Sequence, residues 1–223
     1  MTLLGRIGTR KGWRSAPTYP LVDSKFGRIL ELVSGKDVLD CGCVGSAIED
    51  ESQIAATSHY QIARVARSCL GVDTWAGEVE KRRRAGYDVL TANVEAMQLG
   101  RTFDAVVAAD LIEHLANPGS FLDRVREHLR PGGLLCLVTP NAFSANVALK
   151  SLAGLAPGVN PEHTCWYDPV TLEHLLRRHG FRPVEWYWQD YGRHSMLAAL
   201  VRRRPNLAAH LICIAEPSPE GST

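Results

Sequence analysis

Long apolar runs are missing from this sequence. No stretch approaches the length that a helix needs to cross a bilayer, and the first residues, MTLLGRIGTRKGWRS, lack the continuous apolar core of a signal peptide. We therefore expect a soluble, cytoplasmic protein with no membrane span. Net charge is also nearly absent, because 25 Lys and Arg residues oppose 24 Asp and Glu residues. This balance excludes a global electrostatic attraction for nucleic acid or anionic lipid.

Cysteine pairs at the spacing of a metal site are missing as well. The six cysteines are scattered, and most stand in apolar, strand-like contexts that are typical of buried reduced thiols. Cys41 and Cys43 form a C-x-C pair, but no second Cys or His pair follows at ligand spacing. We expect no metal site in this protein.

Positive charge is concentrated in two short runs, KRRR at Lys81–Arg84 and RRR at Arg202–Arg204. Glu78 and Glu80 lie close enough along a helix to compensate the first run. Both runs therefore predict exposed, solvated helix faces or helix ends, with the binding of an acidic partner as the alternative.

What the sequence does contain is an alternation of apolar strand patterns and amphipathic helix patterns through most of its length. This alternation predicts an α/β fold: a doubly wound, mostly parallel seven-stranded sheet with helices on both faces and right-handed crossovers. In such sheets the ligand lies beyond the carboxyl ends of the strands, where the strand order reverses. The expected strands are residues 37–40, 69–72, 87–91, 103–109, 134–140, 181–188 and 210–215.

Helix signals stand between these strands. A spacing of three to four residues from Ile54 to Val65 indicates one buried helical face, and Gly86 ends the polar helix that follows. Asn117 and Asp168 each precede a proline, which predicts a helix with the polar residue as its N-cap and proline at its first position.

No internal repeat and no long flexible linker divides the chain. We therefore predict an N-terminal arm at residues 1–22, a single domain at residues 23–215 and a disordered tail at residues 216–223. Residues 141–167 are rich in Gly, Pro and Ala, irregular, and long for a connection. Long loops at strand ends are usually functional, so we expect this segment to cap the substrate.

A strand runs into a glycine loop in the stretch VLDCGCVGS, Val38–Ser46. Gly42 and Gly45 allow a tight turn and let a ligand approach the main chain. The dinucleotide fingerprint G-x-G-x-x-G is incomplete and no Walker lysine follows, so the loop gives little support for phosphate binding.

Polar side chains end three successive strands of the predicted sheet. Asp40 can brace the glycine loop or face an ammonium group, and Asp73 can accept two hydrogen bonds from a ribose diol. Asn93 can both donate and accept on an adenine edge. Each of the three is also an ordinary loop residue when taken alone. Their occurrence in order indicates a ligand with an adenosine and no phosphate.

The same segments resemble the motifs of class I S-adenosylmethionine-dependent methyltransferases of the small-molecule type, which includes ubiquinone-type O-methyltransferases. VLDCGCVGS is similar to the first motif of that family, LGVD to the second and ANVEAM to the third. The longest match is FDAVVAADLIEHLANPGSFLDRVREHLRPGGLLCLVTPN, and the resemblance covers about residues 36–188. It implies S-adenosyl-L-methionine as the cofactor. The residues that it places at the cofactor are Asp40, Gly42, Gly45, Asp73, Thr74, Asn93, Val94 and Asp110.

Several positions depart from the family's pattern. Val44 and Ser46 replace glycines of the first motif, and Asn93 stands where the family usually has Asp. Val44 puts a side chain where the family leaves room for the cofactor, unless that side chain points away. The acids at residues 49–51 are expected near the start of the next helix, where negative charge is favourable, or over the methionine ammonium.

Methyl transfer to a hydroxyl needs a group that accepts the proton of the acceptor, and histidine suits this role at neutral pH. We expect His163, inside the irregular segment, to be that base, with His114 as the second candidate. A structural alternative for His114 is a hydrogen bond that holds the loop after the fourth strand. Trp166 and Tyr167 are expected to form an aromatic wall for a flat acceptor, or else to be core residues under the loop.

The sequence thus favours a methyltransferase that acts on a hydroxyl, or in second place an amine, of a small molecule. Two alternatives are a catalytically inactive protein of the same fold with a binding or scaffold role and a nicotinamide-dependent oxidoreductase. A nucleic-acid methyltransferase is disfavoured, because no Asn/Asp-Pro-Pro-Tyr/Phe motif follows the fourth strand and the net charge is only +1. The identity of the acceptor and the presence of a homodimer remain open.

Overall fold

The apolar runs of the sequence form one β-sheet in the computed structural model, which describes residues 18–48, 53, 57–192 and 195–218. Its strands are β1 (Leu21–Val22), β2 (Asp37–Cys41), β3 (Ser68–Asp73), β4 (Val89–Thr91), β5 (Phe103–Ala109), β6 (Leu129–Pro140), β7 (Phe181–Gln189) and β8 (His210–Pro217). Within the described residues they are ordered β1-β7-β8-β6-β5-β2-β3-β4. The strand order reverses between β2 and β5. In an open α/β sheet, a ligand is expected at this point.

The strands are parallel except for β8, which runs antiparallel to both β6 and β7. The predicted mostly parallel α/β sheet is therefore confirmed. The expected number of seven strands is wrong, since the described sheet has eight. The additional strand is β1, whose Leu21 and Val22 pair with Trp188 and Gln189 of β7. Two residues are too few to show a period in the sequence.

Helices cover both faces of this sheet. They are α1 (Lys25–Val33), α2 (Ser58–Val65), α3 (Ala76–Arg84), α4 (Pro118–His128), α5 (Ala145–Leu152), α6 (Pro169–Arg178) and α7 (Ala198–Arg203). Residues of α1 and α2 pack in one buried cluster with β2, β5 and β6, and residues of α4, α6 and α7 pack in another. Neighbouring strand residues such as Val38 and Leu39 belong to different clusters because side chains alternate across a strand.

The helix starts agree with the sequence signals in part. Asp168 accepts hydrogen bonds from the N–H groups of Val170 and Thr171, so it caps α6 as predicted. Asn117 precedes α4, but its side chain makes no capping bond and instead lies against Glu95. Its predicted role as a side-chain cap is therefore wrong. Helix α1 was not predicted from the sequence, although Ser24 caps it in the ordinary way.

The segment 141–167 is less irregular than predicted, because it contains α5. Ser144 caps this helix by accepting from the N–H of Val147. The Nδ2 of Asn141 donates to the carbonyl oxygens of Asn206 and Ala208, each at 2.9 Å, which attaches the start of the segment to the approach of β8. The assignment of this segment as a substrate cap, like the division of the chain at residues 22 and 215, stays a prediction.

Some sequence-based expectations lie outside the described residues: those on residues 1–17, on the acids at 49–51, on Ile54 and on the end of the tail at 219–223. In the part of the chain that is described, all six cysteines are free, and only Cys165 is not buried. None of the described helices is both long and apolar enough to span a bilayer.

Candidate functional site

The glycine loop after β2 requires glycine at two positions. Gly42 has φ +76° and Gly45 has φ +63°, and residues with a Cβ seldom adopt this left-handed region. A Cβ added to Gly42 would also lie 3.2 Å from Cδ1 of Leu111, which follows β5. The loop and the end of β5 are therefore in close contact at the point where the strand order reverses.

Val44 does not fill the crevice outside this loop. Its side chain is buried and packs with Cys43, Val79 and Val89 in a small cluster between the loop and α3. Its backbone N–H donates to Oδ2 of Asp73 at 3.1 Å. The space that the family's glycine leaves for a cofactor is thus not taken by this valine, and the residues present fit a bound nucleoside.

Asp73, at the end of β3, is partly exposed and holds two backbone segments at once. Besides Val44, the N–H of Trp75 donates to Oδ1 of Asp73 at 3.0 Å. Each carboxylate oxygen can accept a further hydrogen bond, so the group is positioned and still has acceptor capacity for a diol. Thr74 beside it is exposed.

Asp40 lies beneath the loop rather than in the crevice. It is 4% exposed, and its Oδ2 lies 2.9 Å from Nδ1 of His59, which is 2% exposed. Of the two roles expected for Asp40, this burial leaves no surface for a ligand ammonium group, and the contact with His59 attaches the end of β2 to α2.

Asn93 and Val94 follow β4. Asn93 is exposed, and its Oδ1 accepts from the N–H of Glu95 at 2.9 Å, the arrangement of an Asx turn. Val94 is 5% exposed and belongs to the core. The turn fixes the direction of the Asn93 amide, whose nitrogen has the donors that an adenine edge accepts.

Asp110, directly after β5, has φ +53°, the one described non-glycine residue with positive φ. Such backbone strain often marks functional sites. Its carboxylate contacts Nζ of Lys25 in α1, and its Oδ1 lies 3.7 Å from Nε2 of His210 in β8. Asp110 therefore joins the crevice to the neighbouring end of β8.

A pocket of about 240 Å³ opens beside Asp110 at the carboxyl ends of β5 and β6. We call it the strand-end pocket. Much of its wall comes from the segment 141–167, and β8 contributes its first residue, His210. Residues on its wall include Glu113, Asn141, Val147, His163, Trp166 and His210.

His163 and His114, the two predicted bases, lie together at this pocket. Their ring centroids are 4.6 Å apart and the rings are nearly perpendicular. His163 lines the pocket, whereas His114 stands behind it on the turn after β5. Burial, with the neighbouring His114 as a smaller cause, lowers the pKa of His163 below its ordinary value. The neutral imidazole, which can accept a proton, is therefore the main form at neutral pH.

Glu113 is a titratable group of the pocket that sequence reasoning missed. Its side chain is 1% exposed, Oε2 accepts from the hydroxyl of Thr139 at 2.9 Å, and Oε1 is buried with no described partner. Burial raises its pKa to about 7. Its backbone oxygen accepts from the N–H of Thr164 at 2.8 Å, which fixes the chain next to His163.

His210 was also missed, because its position near the last strand gave no reason to place it at the site. The antiparallel insertion of β8 beside β6 brings its first residue to the carboxyl edge. Burial lowers the pKa of His210, and its Nδ1 has no partner among the described residues. The position of His210 at the site follows only from the strand order, in which β8 lies next to β6.

The two residues of the predicted aromatic wall, Trp166 and Tyr167, differ in exposure and in role. Trp166 is 43% exposed and lines the pocket, whereas Tyr167 is 6% exposed and belongs to the core cluster. A lone backbone bridge to Asn141 holds Tyr167 in place. Trp166 is thus available to a flat ligand, and Tyr167 fits the alternative of a core residue.

The groups of the described chain that could hold a metal ion are Glu113, His114 and His163. Each offers one ligand atom, and these atoms lie within 4.8 Å of one another. Groups this close can share either a proton or a cation. The sequence-based expectation of no metal overlooked this grouping because His163 stands far along the sequence from the adjacent Glu113 and His114.

Comparison with known proteins agrees with this geometry. The family model described as "Methyltransferase domain" matches residues 20–185. Ubiquinone biosynthesis O-methyltransferase of Cereibacter sphaeroides (strain ATCC 17025 / ATH 2.4.3) is 27% identical over 176 residues, which cover 69% of this chain and 67% of that protein. The mitochondrial protein of the same name from Mus musculus is 24% identical over 200 residues, which cover 77% of this chain and 51% of that protein.

A solved structure of a SAM-dependent methyltransferase from Archaeoglobus fulgidus has the same fold, with a TM-score of 0.61 at 16% identity over 86% of this chain and 90% of that one. The chain spans about half the length of the mammalian relatives that it matches. The family match covers most of the chain and includes the glycine loop, Asp73 and the turn after β5. The chain therefore belongs to the methyltransferase domain family, the class I S-adenosylmethionine-dependent methyltransferases.

Proposed function

We propose that this protein transfers a methyl group from S-adenosyl-L-methionine to a hydroxyl group of a small, flat molecule. The observation that carries the proposal is His163 at the wall of the strand-end pocket, with a lowered pKa and next to the crevice outside β2 and β5. The names of the relatives, which are O-methyltransferases, support the same choice of acceptor atom.

The cofactor supplies an activated methyl group on a sulfonium, so the protein mainly holds the acceptor in line. In this proposal Asp73 holds the ribose, Asn93 meets the adenine edge, and the backbone of Gly42 and Gly45 allows the close approach of the nucleoside. His163 accepts the proton of the acceptor hydroxyl, which leaves oxygen with the electron pair that forms the new bond.

The lining of the pocket supports a neutral acceptor with an aromatic ring. Trp166, Val147 and Val159 offer apolar surface, and Asn146 offers an amide group. None of the described lining residues is a lysine or arginine that would pair with a phosphate or carboxylate. A volume of about 240 Å³ suits one substituted ring better than a nucleic-acid base with its backbone.

The first test is calorimetric binding of S-adenosylhomocysteine to the wild-type chain and to Asp73→Ala. We expect a measurable affinity that Asp73→Ala weakens about tenfold or more, because an ionised acceptor for the ribose is lost. Asp88→Ala, which removes an exposed carboxylate at the amino end of β4, is the matched control and should bind as the wild type does. Absence of binding to the wild-type chain would refute the proposal, and binding of NAD in its place would support the oxidoreductase alternative.

The second test supplies S-adenosylmethionine with a panel of ortho-dihydroxybenzenes and measures release of S-adenosylhomocysteine. Methylated product is expected with at least one member of the panel. Repeating the assay after chelation with EDTA separates a proton-accepting role of His163 from a cation held by Glu113, His114 and His163. Activity that survives EDTA supports the histidine base, and activity lost to EDTA and restored by Mg²⁺ contradicts it.

A cytoplasmic location and a homodimer stay predictions. Cell fractionation and light scattering of the purified chain measure them directly.

A further inference from the structure

One arginine of the basic run at residues 81–84 is not on the solvated face that the sequence predicted. The side chains of Lys81, Arg83 and Arg84 are 50%, 65% and 74% exposed, whereas that of Arg82 is 1% exposed. The expectation that the whole run is a solvated face is therefore wrong for Arg82. Its direction on α3 takes it under the glycine loop.

Arg82 binds the loop through its carbonyl oxygens. Its Nη2 donates to the carbonyl oxygens of Val44 and Ser46, each at 3.0 Å. Its Nη1 donates to Oε2 of Glu78 at 3.0 Å and to the carbonyl oxygen of the same residue at 3.1 Å. The two carbonyl groups that it holds belong to the two residues that replace the family's glycines in the first motif.

Two neighbours on α3 extend this contact to the next part of the loop. Oε2 of Glu78 accepts from the N–H of Ile48 at 3.2 Å, and Nζ of Lys81 donates to the carbonyl oxygen of Ile48 at 3.1 Å. Lys81 also pairs with Oε1 of Glu78 at 2.6 Å. Three side chains of α3, within one turn on the same face, thus attach residues 44–48 to this helix.

Stability alone does not account for this arrangement. Removing a guanidinium from water is costly, and well-packed apolar residues often stabilise a fold as well as a buried ion pair does. The Nε of Arg82 is moreover buried without a partner among the described residues. What the arginine does supply is a planar guanidinium whose Nη1 is fixed by Glu78 while its Nη2 donates to two loop carbonyls.

We propose that Arg82, supported by Glu78 and Lys81, is a positioning residue for the cofactor. It fixes the backbone of residues 44–48 by their carbonyl groups. Asp73, which accepts from the N–H of Val44, and the glycine turn are then held ready for the nucleoside before it binds. The inference rests on the proposed function and adds residues that no motif of the sequence indicated.

The test compares Arg82→Lys with the wild type by calorimetry with S-adenosylhomocysteine and by hydrogen–deuterium exchange of the peptide at 41–48 without ligand. Lysine keeps the charge near Glu78, but its one nitrogen has three N–H donors and cannot replace the four hydrogen bonds that the two Arg82 nitrogens make to the loop and to Glu78. We expect about tenfold weaker binding, the equivalent of one or two lost charged hydrogen bonds, and faster exchange of the loop. Arg84→Lys, on the exposed side of the same helix, should change neither.

Gly132→Ala serves as a control for lost stability, since Gly132 has φ +78° at the opposite edge of the sheet, where alanine is strained. If Gly132→Ala weakens binding as much as Arg82→Lys at a similar fall in Tm, the positioning role is overturned. Unchanged binding and exchange in Arg82→Lys would overturn it as well. If Arg82→Lys does not fold, Lys81→Met replaces it, because the half-exposed Lys81 side chain is not needed for the core. We expect Lys81→Met to bind S-adenosylhomocysteine about threefold more weakly than the wild type. Binding equal to that of the wild type would refute the proposal.

The two readouts separate this inference from the proposed function. A wild-type chain that binds no S-adenosylhomocysteine refutes the function, while loop exchange, which needs no ligand, still decides whether Arg82 fixes the loop.

Discussion

The two edges of the sheet satisfy their polar groups in different ways. At the amino ends of the strands, Asp37 and Asp104 share Arg67 and Arg130, with N–O distances of 2.7 to 2.9 Å. Ser68 completes this network by donating to Asp37. Each of these four charges has a partner of the opposite sign, and the groups are partly open to water.

At the carboxyl ends the buried polar groups are incompletely paired. Oε1 of Glu113, Oδ1 of Asp110 and Nδ1 of His210 are all buried without a hydrogen bond among the described residues. Asp110 is held at positive φ as well. A buried polar atom without a hydrogen-bond partner lowers stability. Such atoms therefore concentrate at functional sites, where they bind a ligand or exchange a proton. The amino edge contributes to stability, and the carboxyl edge is arranged for chemistry at some cost in stability.

The largest effect is expected for His163→Gln at the carboxyl edge. Loss of a general base lowers methyl transfer by about 10²–10⁴-fold, while binding of S-adenosylhomocysteine stays unchanged. The lowered pKa of His163 also predicts that the acid limb of the wild-type rate lies below the ordinary histidine value of about 6.5. His114→Gln is the control and should lose less than about tenfold. Equal losses in both variants would contradict His163 as the base.

Glu113→Gln is expected to change how stability depends on pH. The folded pKa of Glu113, about 7, lies above its ordinary value of 4.5, so its contribution is present below pH 4.5 and is lost as pH rises through 7. Wild-type stability should fall by up to ~3 kcal/mol over this range, and Gln should remove that slope. Urea unfolding at pH 5 and pH 8 measures it; an identical slope in both chains would contradict the buried-acid interpretation.

Gly42→Ala and Gly132→Ala compare the edges directly. Both glycines have positive φ, +76° and +78°, so each alanine should cost about 1–2 kcal/mol of unfolding free energy. A Cβ at Gly42 also meets Leu111 at 3.2 Å, whereas one at Gly132 meets nothing within 4 Å. Only Gly42→Ala should weaken binding of S-adenosylhomocysteine. Weaker binding in Gly132→Ala would contradict the comparison, because a change at the amino edge would then lower cofactor affinity as well as stability.

Arg130→Met at the amino edge is expected to have the smallest effect. The pKa of Asp37 is held well below its usual range by hydrogen bonds from Arg67 and, second, from Arg130. The pKa of Asp104 is lowered by the backbone N–H of Asp37 and, second, by the side chain of Arg130. The stability they supply is therefore present above their unfolded pKa, about 3.9, and is lost as pH falls through the lower folded values. Tm should fall slightly at pH 7 and hardly at all in strong acid, with kcat unchanged. A loss of activity would contradict the comparison.

Sequence patterns predicted the strands well because each strand is a local apolar run bounded by turn residues. The run at 103–109 becomes β5 with the same bounds. The patterns also located Gly42, Gly45 and Asp73, whose roles follow from standing at the end of a strand. They missed Glu113 and His210, because burial and an orphaned atom depend on which distant elements pack around them. Arg82 was misread because its helix carries a polar pattern on nearly every side.

By itself the sequence determined the alternation of strands and helices, the tight glycine turn and the carboxylate at the end of β3, since backbone preference and local periodicity act over a few residues. Only the tertiary structure decided that β8 inserts beside β6, that His163 meets His114, and that one of four consecutive basic residues turns inward to the loop. These contacts join residues far apart in the chain. Their energies come from burial and pairing, which exist only once the sheet has assembled.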